Sequence, residues 1–276
     1  MAFTVTTLME NAALRDCLAT EHGLSLLVEG NGCKVLYDTG ASPRFLMNAR
    51  AMEADLSDLD ALVLSHGHYD HTGGVAALVS GPFKPRIAYR GRNFFQPRFS
   101  EKKDGLMEIG AAMEEDSLQR ADVPFVILED EPVKLAEGMW AVSGFTSTDQ
   151  MEKPSPKMLR RVKGEMVTDT FEDEVAIVLE LKEGLALLSG CSHVGILSMC
   201  RRVNKLFGRP VTVFVGGTHL MVAGDERIEY TCDCLRELGI TQLGACHCSG
   251  EKAALYFEEH FPGFFRNNVG CRLELN

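Results

Sequence analysis

The chain has 276 residues, 45% of them hydrophobic, which is enough for one large domain or two small ones with a real core and no need of disulfide staples. Its formal net charge of −11 disfavours a surface for nucleic acid or an anionic membrane, since dense Lys and Arg contacts hold both. No uncharged apolar run approaches the roughly 20 residues of a membrane span, the opening MAFTVTTLMENAALRD lacks the order of an export signal, and nine cysteines without such a signal fit a reducing, cytoplasmic compartment.

In chain order, FTVTTLM, LSLLVE and CKVLYD read as short strands bounded by polar residues or glycine. SPRFLMNARAM reads as a helix, ALVLS as a buried strand and GGVAALVS as a second helix. From about Gly81 to Asp173 the pattern is irregular, with the charged, Met-containing QPRFSEKKDGLMEIGAAMEEDS and the prolines of MEKPSPK. That span, with VPFVIL and MWAVSG as strand-like pieces, is expected to be an insertion or lid, at about 81–173, on a single domain covering residues 1–276. Strands and helices then alternate: VAIVLEL, GLALLSG, a helix from about Val194, VTVFVGG, the helix ERIEYTCDCLRELG, TQLGACH, the helix EKAALYFEEHF and a last strand, VGCRLEL.

The stretch LVLSHGHYDHTGG lies on the strand-to-helix loop and gathers three of the chain's 8 histidines. Alternate residues of an extended loop point the same way, so His66 and His68 can present imidazoles to one cation. Asp70 and His71, at the helix start, are aimed at a second. Histidine and carboxylate suit zinc, with iron and manganese as alternatives, and not the all-oxygen cage of magnesium or calcium. The plain alternative is a solvated histidine-rich loop, against which the complete H-x-H-x-D-H spacing in its strand-loop-helix context argues. Such a half-site needs partners at other strand ends. His193, His219 and His247 each follow an apolar run that would carry them to one sheet edge.

With these motifs the sequence resembles the metallo-β-lactamase superfamily of binuclear metallohydrolases. The resemblance implies an α/β fold, an αβ/βα sandwich of two mixed β-sheets flanked by helices, with the metals at one sheet edge. It implies His247 as the last ligand, and His193 is taken as the remaining one. The signatures DTG, SHGHYDHTGG, GCSH, GGTHL and HCSG further resemble a subgroup that includes a pterin-linked synthase of methanopterin biosynthesis. One departure stands out. Many members carry Gly-Asp after the strand, with the aspartate bridging both metals, and a separate histidine some way upstream; here the chain has Gly190-Cys191 and no histidine between His71 and His193. Cys191 can fill the bridging slot, His193 can replace the missing ligand, or Asp173 or Glu174 can supply an earlier carboxylate.

VLYDTGAS also suits an aspartic protease, but the pepsin-type dyad needs two such aspartates and the chain has one D-T-G. Asp38 is better read as a carboxylate behind the metals, fixing a ligand imidazole or a nearby turn. The C-x-C pairs Cys232/Cys234 and Cys246/Cys248 lack the spacing of a structural zinc site, and buried thiols explain them more simply, although Cys248 can line the active site. His22 faces either the pocket or a structural role, and His260 is expected in solvent.

Two cations bridged by water would generate a metal-bound hydroxide at neutral pH and polarise a carbonyl or phosphoryl oxygen. The expectation is a metal-dependent hydrolase of an ester or phosphoester-type small molecule. A pterin-linked, phosphate-releasing synthase and a catalytically silent metal-binding or ligand-sensing protein are the alternatives. Asp70 is assigned proton transfer as well as ligation, and His219 the pocket rim, as substrate contact or proton donor. The segment from Lys84 to Lys103 concentrates basic residues among aromatics, so Arg90, Arg92 and Arg98 are expected to bind an anionic group of the substrate, such as a phosphate, with a solvated surface loop as the plain alternative.

Overall fold

In a computed structural model, which describes residues 2–276, the chain forms seventeen strands and seven helices. The first half contains β1 (Phe3–Met9), β2 (Ser25–Gly30), β3 (Cys33–Tyr37), α1 (Arg44–Ala51), β4 (Ala61–Val63), α2 (Tyr69–Thr72), α3 (Val75–Ser80), β5 (Ala88–Arg90), β6 (Arg98–Lys102), β7 (Gly105–Glu108), α4 (Ser117–Arg120), β8 (Phe125–Ile127) and β9 (Val133–Ala136). The remainder contains β10 (Met139–Val142), β11 (Met158–Val162), β12 (Glu165–Thr168), β13 (Ala176–Glu180), β14 (Leu185–Ser189), α5 (Ile196–Phe207), β15 (Val211–Gly217), α6 (Asp225–Glu237), β16 (Gln242–Cys246), α7 (Glu251–His260) and β17 (Arg272–Leu275). No helix among the described residues is long and apolar enough to cross a membrane.

Two mixed sheets pack face to face. The first runs β17-β1-β2-β3-β4-β5-β8, antiparallel as far as β3 and parallel from β3 to β8. The second runs β16-β15-β14-β13-β10-β9, parallel across β14, β15 and β16 and antiparallel beyond. A strand buried on both faces has no reason to alternate polar and apolar residues, and β14 shows this in LALLS. Its Ala186 and Leu188 join Val5, Val28 and Val63 of the first sheet in the central core. Leu185 and Leu187 turn outward to meet Ile196, Met199 and Val203 of α5. On the far side of the first sheet, Leu62 packs with Phe45 of α1 and Val75 of α3. The result is helix, sheet, sheet, helix.

Parallel strands end together, and that positions the site. The loops after β4, β14, β15 and β16 leave one edge of the sandwich carrying His66 to His71, Cys191 to His193, His219 and His247. The two sheets are tied there by Val175 N–H donating to Ser65 O at 2.7 Å and by Tyr37 Oη donating to Val175 O at 2.6 Å.

Residues 81–173 divide among three sheets. Strands β5 and β8 extend the first and β9 and β10 the second, while β12-β11-β6-β7 make a separate four-stranded antiparallel sheet. Arg98, at the start of β6, pins that small sheet to the body. Its Nε lies 2.7 Å from Asp169 Oδ2, its Nη2 2.7 Å from Asp173 Oδ1, and its Nη1 donates to Phe94 O at 2.8 Å and to Gly67 O at 3.3 Å. This corrects the expectation that Arg98 binds substrate: its guanidinium is buried and committed to internal partners. Arg98→Met would strand two buried carboxylates without their counter-charge, and should lower unfolding free energy by about 3–5 kcal/mol in urea titrations. A loss of less than about 1 kcal/mol would mean that the clamp is dispensable.

Candidate metal centre

Gly67 separates the first two histidines because nothing larger fits: a Cβ there would lie 2.0 Å from Phe94 O and 2.5 Å from Arg98 Nη1. With the backbone so confined, His66 Nε2 and His68 Nδ1 are 3.0 Å apart, and His193 Nε2 is 3.3 Å from His66 Nε2. Three imidazole nitrogens thus converge on one point. His68 Nε2 and His193 Nδ1, on the far sides of their rings, are buried with no hydrogen-bond partner. Phe171 stacks on His193 at 4.0 Å between ring centroids and holds its plane.

A second group faces the first. Asp70 Oδ2 is 3.4 Å from His247 Nε2, 3.3 Å from His22 Nε2 and 4.0 Å from His71 Nε2. Cys191 stands between the groups, with Sγ 3.3 Å from His71 Nε2; it clusters with His66 and His71 on one side and with His247 and Cys248 on the other. These groups suit a cation on chemical grounds. Lone pairs crowded within about hydrogen-bond distance repel unless something positive lies between them, and the buried, partnerless His247 Nε2 is the kind of orphan a ligand bond would satisfy.

Buried carboxylates hold the loops in place. Asp38 accepts from Ser65 N–H at 2.7 Å through Oδ1, and its Oδ2 lies 2.6 Å from His71 Nδ1, which leaves His71 Nε2 facing Cys191 and Asp70. Asp173 accepts from Gly67 N–H at 2.7 Å. Glu174 accepts from His193 N–H and Val194 N–H, and Glu10 from His247 N–H at 2.6 Å. Asp173 and Glu174, considered earlier as ligands, therefore grip backbone instead. Asp38, Ser192, His219 and His247 all adopt left-handed backbone, with φ of 51° to 59°, a strain that clusters at functional sites.

The electrostatics follow from burial. It pushes the His66, His68 and His193 imidazoles well below their ordinary range, so they stay neutral and able to donate lone pairs. Burial also opposes charge on His71, but Asp38 and Asp70 outweigh it and bring that imidazole up to about 9. Burial resists ionisation of Asp70 too, yet His71, His247 and His68 hold its carboxyl well below the usual range. Glu174 goes up to about 8 because burial outweighs its two backbone donors.

The remaining expected residues lie apart from the centre or on its rim. The His219 ring is 4.2 Å from His193 between centroids, at the floor of an open cleft. Arg90 is buried between Phe95 and Phe125, 5.0 Å from each ring centroid, with Glu115 at 3.6 Å. Arg92 is half exposed, 3.3 Å from Asp130, in a hollow with Ser143 and Phe145. Neither arginine lines the cleft that reaches His219. His260 is exposed at the end of α7, and Cys232 and Cys234 lie on α6 outside every candidate ligand group among the described residues. His22 belongs to the centre, stacked on His247 at 4.6 Å. Sequence reasoning left its role open, because EHGLS carries no spacing that ties it to residues 48 and 225 positions away.

Comparison with known proteins identifies the family and the fold. The profile of the Metallo-beta-lactamase superfamily matches residues 19–146. The 7,8-dihydropterin-6-methyl-4-(beta-D-ribofuranosyl)-aminobenzene-5'-phosphate synthase of Methanocaldococcus jannaschii is 32% identical over 258 residues, 89% of this chain and 87% of that protein. A solved metal-dependent hydrolase of the beta-lactamase superfamily superposes with a TM-score of 0.86 at 29% identity, covering 99% of both chains. A diphosphatase from the PhnP family shares the fold at a TM-score of 0.56 and 15% identity, over 100% of this chain and 98% of its own.

The raised groups fix the alkaline behaviour of the chain without metal. His71, raised to about 9, contributes stability that is whole below about 6.5 and is lost as pH climbs through 9. Glu174, raised to about 8, is likewise protonated in the folded state at neutrality, and its contribution is lost progressively as pH rises from the ordinary carboxyl range through 8. The depressed imidazoles oppose these losses only until the unfolded chain's histidines are neutral, a little above pH 7, and Cys248, whose thiol is held well below its ordinary range, opposes them until the unfolded thiol ionises. The charge assignment is therefore read by difference: in chelator-treated protein the stability advantage of wild type over Asp38→Asn, and over Glu174→Gln, should shrink from pH 7 to pH 9, by up to about 1.4 kcal/mol per pH unit. Urea midpoints whose gap to either variant stays level or widens over this range would contradict the charge assignment.

Proposed function

Because the chain belongs to the metallo-beta-lactamase superfamily, we propose that it is a metal-dependent hydrolase of a small ester or phosphoester, working through two cations held at the sheet edge. The observation that carries this reading is the convergence of His66 Nε2, His68 Nδ1 and His193 Nε2 beside the separate group formed by Asp70, His71 and His247. The first three would hold one cation and the second three the other, with zinc the best match to this donor set and iron or manganese as alternatives. Cations bound there would lower the pKa of a water toward neutrality and draw electron density from a carbonyl or phosphoryl oxygen.

The chain's own groups do the rest. Asp70, kept ionised, would hold a cation or orient a water bound to one. Asp38, 2.6 Å from His71 Nδ1, would keep the proton on that nitrogen once a cation displaces the one on Nε2, so that Nε2 could serve as a ligand. His219, at the cleft floor beside His193, is suited to give a proton to the departing oxygen. The small sheet β12-β11-β6-β7 acts as a lid that keeps bulk water from the centre.

The second reading is a pterin-linked synthase releasing a phosphate-type group, and it is favoured by the 32% identity to the Methanocaldococcus jannaschii protein over most of both chains. Both readings use the same donors and differ in the acceptor of the transferred group. A silent metal-binding protein is a weaker third reading, since the cleft adjoins the donor set through His219, whose ring meets that of His193.

Metal analysis of the purified chain after reconstitution should find two ions, and one of them should go in His66→Ala/His68→Ala. Asp70→Ala should abolish turnover with the fold intact, whereas His219→Ala should lower kcat and retain both metals. At most one ion per chain would overturn the binuclear reading, and loss of an ion in His219→Ala would make His219 a ligand.

Cys191 would complete the donor set as a thiolate, a reading supported by its place in two candidate ligand groups. Burial keeps the free thiol protonated, but a cation at the sulfur would draw off the proton. Cobalt(II)-substituted protein should then show a sulfur-to-cobalt charge-transfer band in the near ultraviolet, lost in Cys191→Ser and kept in Cys248→Ser. The same band persisting in Cys191→Ser would move sulfur ligation elsewhere.

A further inference from the structure

We infer that the open cleft above His219 is the subsite for a phosphate-type group on the substrate, held by Lys102, Lys103 and Lys157. The inference deepens the hydrolase reading by naming its substrate class, an organic phosphate with an apolar body. The cleft holds about 660 Å³, room for such a molecule, and His219 at its floor is in ring contact with His193. It is therefore the approach from solvent to the first ligand group.

Its walls come from two places. One is the edge of the small sheet, where Ser100 and Lys102 share a face of β6, Lys103 follows in the turn to β7, and Lys157 precedes β11. Glu101 N–H donating to Lys157 O at 2.8 Å fixes these segments side by side. The other is the loop after β15, with Met221 52% and Val222 80% exposed. That loop is anchored by Met221 N–H donating to Cys248 O at 3.0 Å, next to the donor set.

The lysines of the chain that sit in ion pairs are Lys34, Lys134 and Lys252. Among the described residues none of the three cleft lysines has a carboxylate oxygen within 4.0 Å of its ammonium. In a chain of net charge −11, three ammonium groups left free around one cleft, with Glu101 the only acid in its lining, form a local positive field. Exposed Met221 and Val222, with Met158 opposite, offer an apolar surface beside that field. An anion alone would leave these side chains wet, and a neutral apolar ligand would leave the ammonium groups unused. A molecule carrying both features uses the whole cleft, with its phosphate at the lysines and a second ester bond, the one cleaved, over the histidines.

The sequence pointed to Arg90, Arg92 and Arg98 for this task. Those arginines are occupied or remote, while Lys102 and Lys103, in the same basic stretch, reach the cleft.

The test is calorimetric titration of the metal-loaded full-length chain with phenylphosphonate, whose C–P bond is not hydrolysed, and with its neutral dimethyl ester. Wild-type protein should bind phenylphosphonate more tightly than the ester, and more weakly as salt rises. Lys102→Gln/Lys103→Gln/Lys157→Gln, with metal content and melting temperature checked against wild type, should bind phenylphosphonate about tenfold more weakly, keep its affinity for the ester within about twofold, and lose most of the salt dependence. Unchanged phenylphosphonate affinity in the triple variant would overturn the inference, because the anion would then be held by the cations alone. Equal losses for both probes would overturn it too, since the lysines would then shape the cleft without reading charge. Binding needs no turnover, so a chain that hydrolyses nothing can still show the lysine dependence, and the two readings fail separately.

Discussion

Four buried carboxylates, each gripping a backbone N–H of a loop that carries or adjoins the donor set, are the constraint on which the centre depends. Asp38 holds Ser65, Asp173 holds Gly67, Glu174 holds His193 and Val194, and Glu10 holds His247. All four are at most 4% exposed. Carboxylates so far from water are costly unless hydrogen-bonded or neutralised; a bond from an N–H to an ionised acceptor contributes about 1.5–3 kcal/mol, and Glu174, protonated at neutrality, gains the smaller value of a neutral pair. Each of these carboxylates therefore settles where donors are, and the donors are loop amides that the strands have left unpaired. The imidazoles are fixed by their backbones before any cation arrives, which is what a site of defined geometry requires.

That arrangement also couples the small sheet to the centre. Asp173 accepts from Gly67 and pairs with Arg98, and Arg98 in turn donates to Gly67 O, so one buried ion pair holds both the histidine loop and β6 of the small sheet. A displacement of β6 cannot leave His66 and His68 untouched. The cleft lysines ride on the same sheet, which makes the small sheet a carrier of both shape and charge next to the centre.

The parts of this picture legible in the sequence are those written locally. H-x-H-x-D-H is a short spacing on one loop, and His193, His219 and His247 each stand just after an apolar strand, so their gathering at one edge follows from parallel pairing. The αβ/βα sandwich came from family resemblance, because apolar periodicity does not say which strands share a sheet. Of the supporting carboxylates, Asp38 was marked by D-T-G, whereas the others are set by long-range pairing: Glu10 lies 237 residues from its partner His247, and Glu174 sits 19 residues before His193. Residues 81–173 read as irregular because their strands are short and their partners distant, with β5 and β8 joined across 37 residues and β6 paired with β11 about 60 residues on. The basic stretch was visible, but which cations face a cleft and which are buried on carboxylates depends on that same long-range pairing.

The global charge and the cleft point in opposite directions, and range decides between them. At physiological ionic strength the Debye length is about 8 Å, so acids scattered over the surface of a 30.4 kDa chain act weakly on a group inside the cleft. The cleft ammonium groups act at contact distance and are barely screened by comparison. Net charge then governs encounters with polyanions such as nucleic acid, which touch much of the surface at once and are repelled. A small phosphate ester touches only the cleft. On the proposed reading the same chain would reject extended anions and admit compact ones, its acidic exterior filtering by size more than by sign.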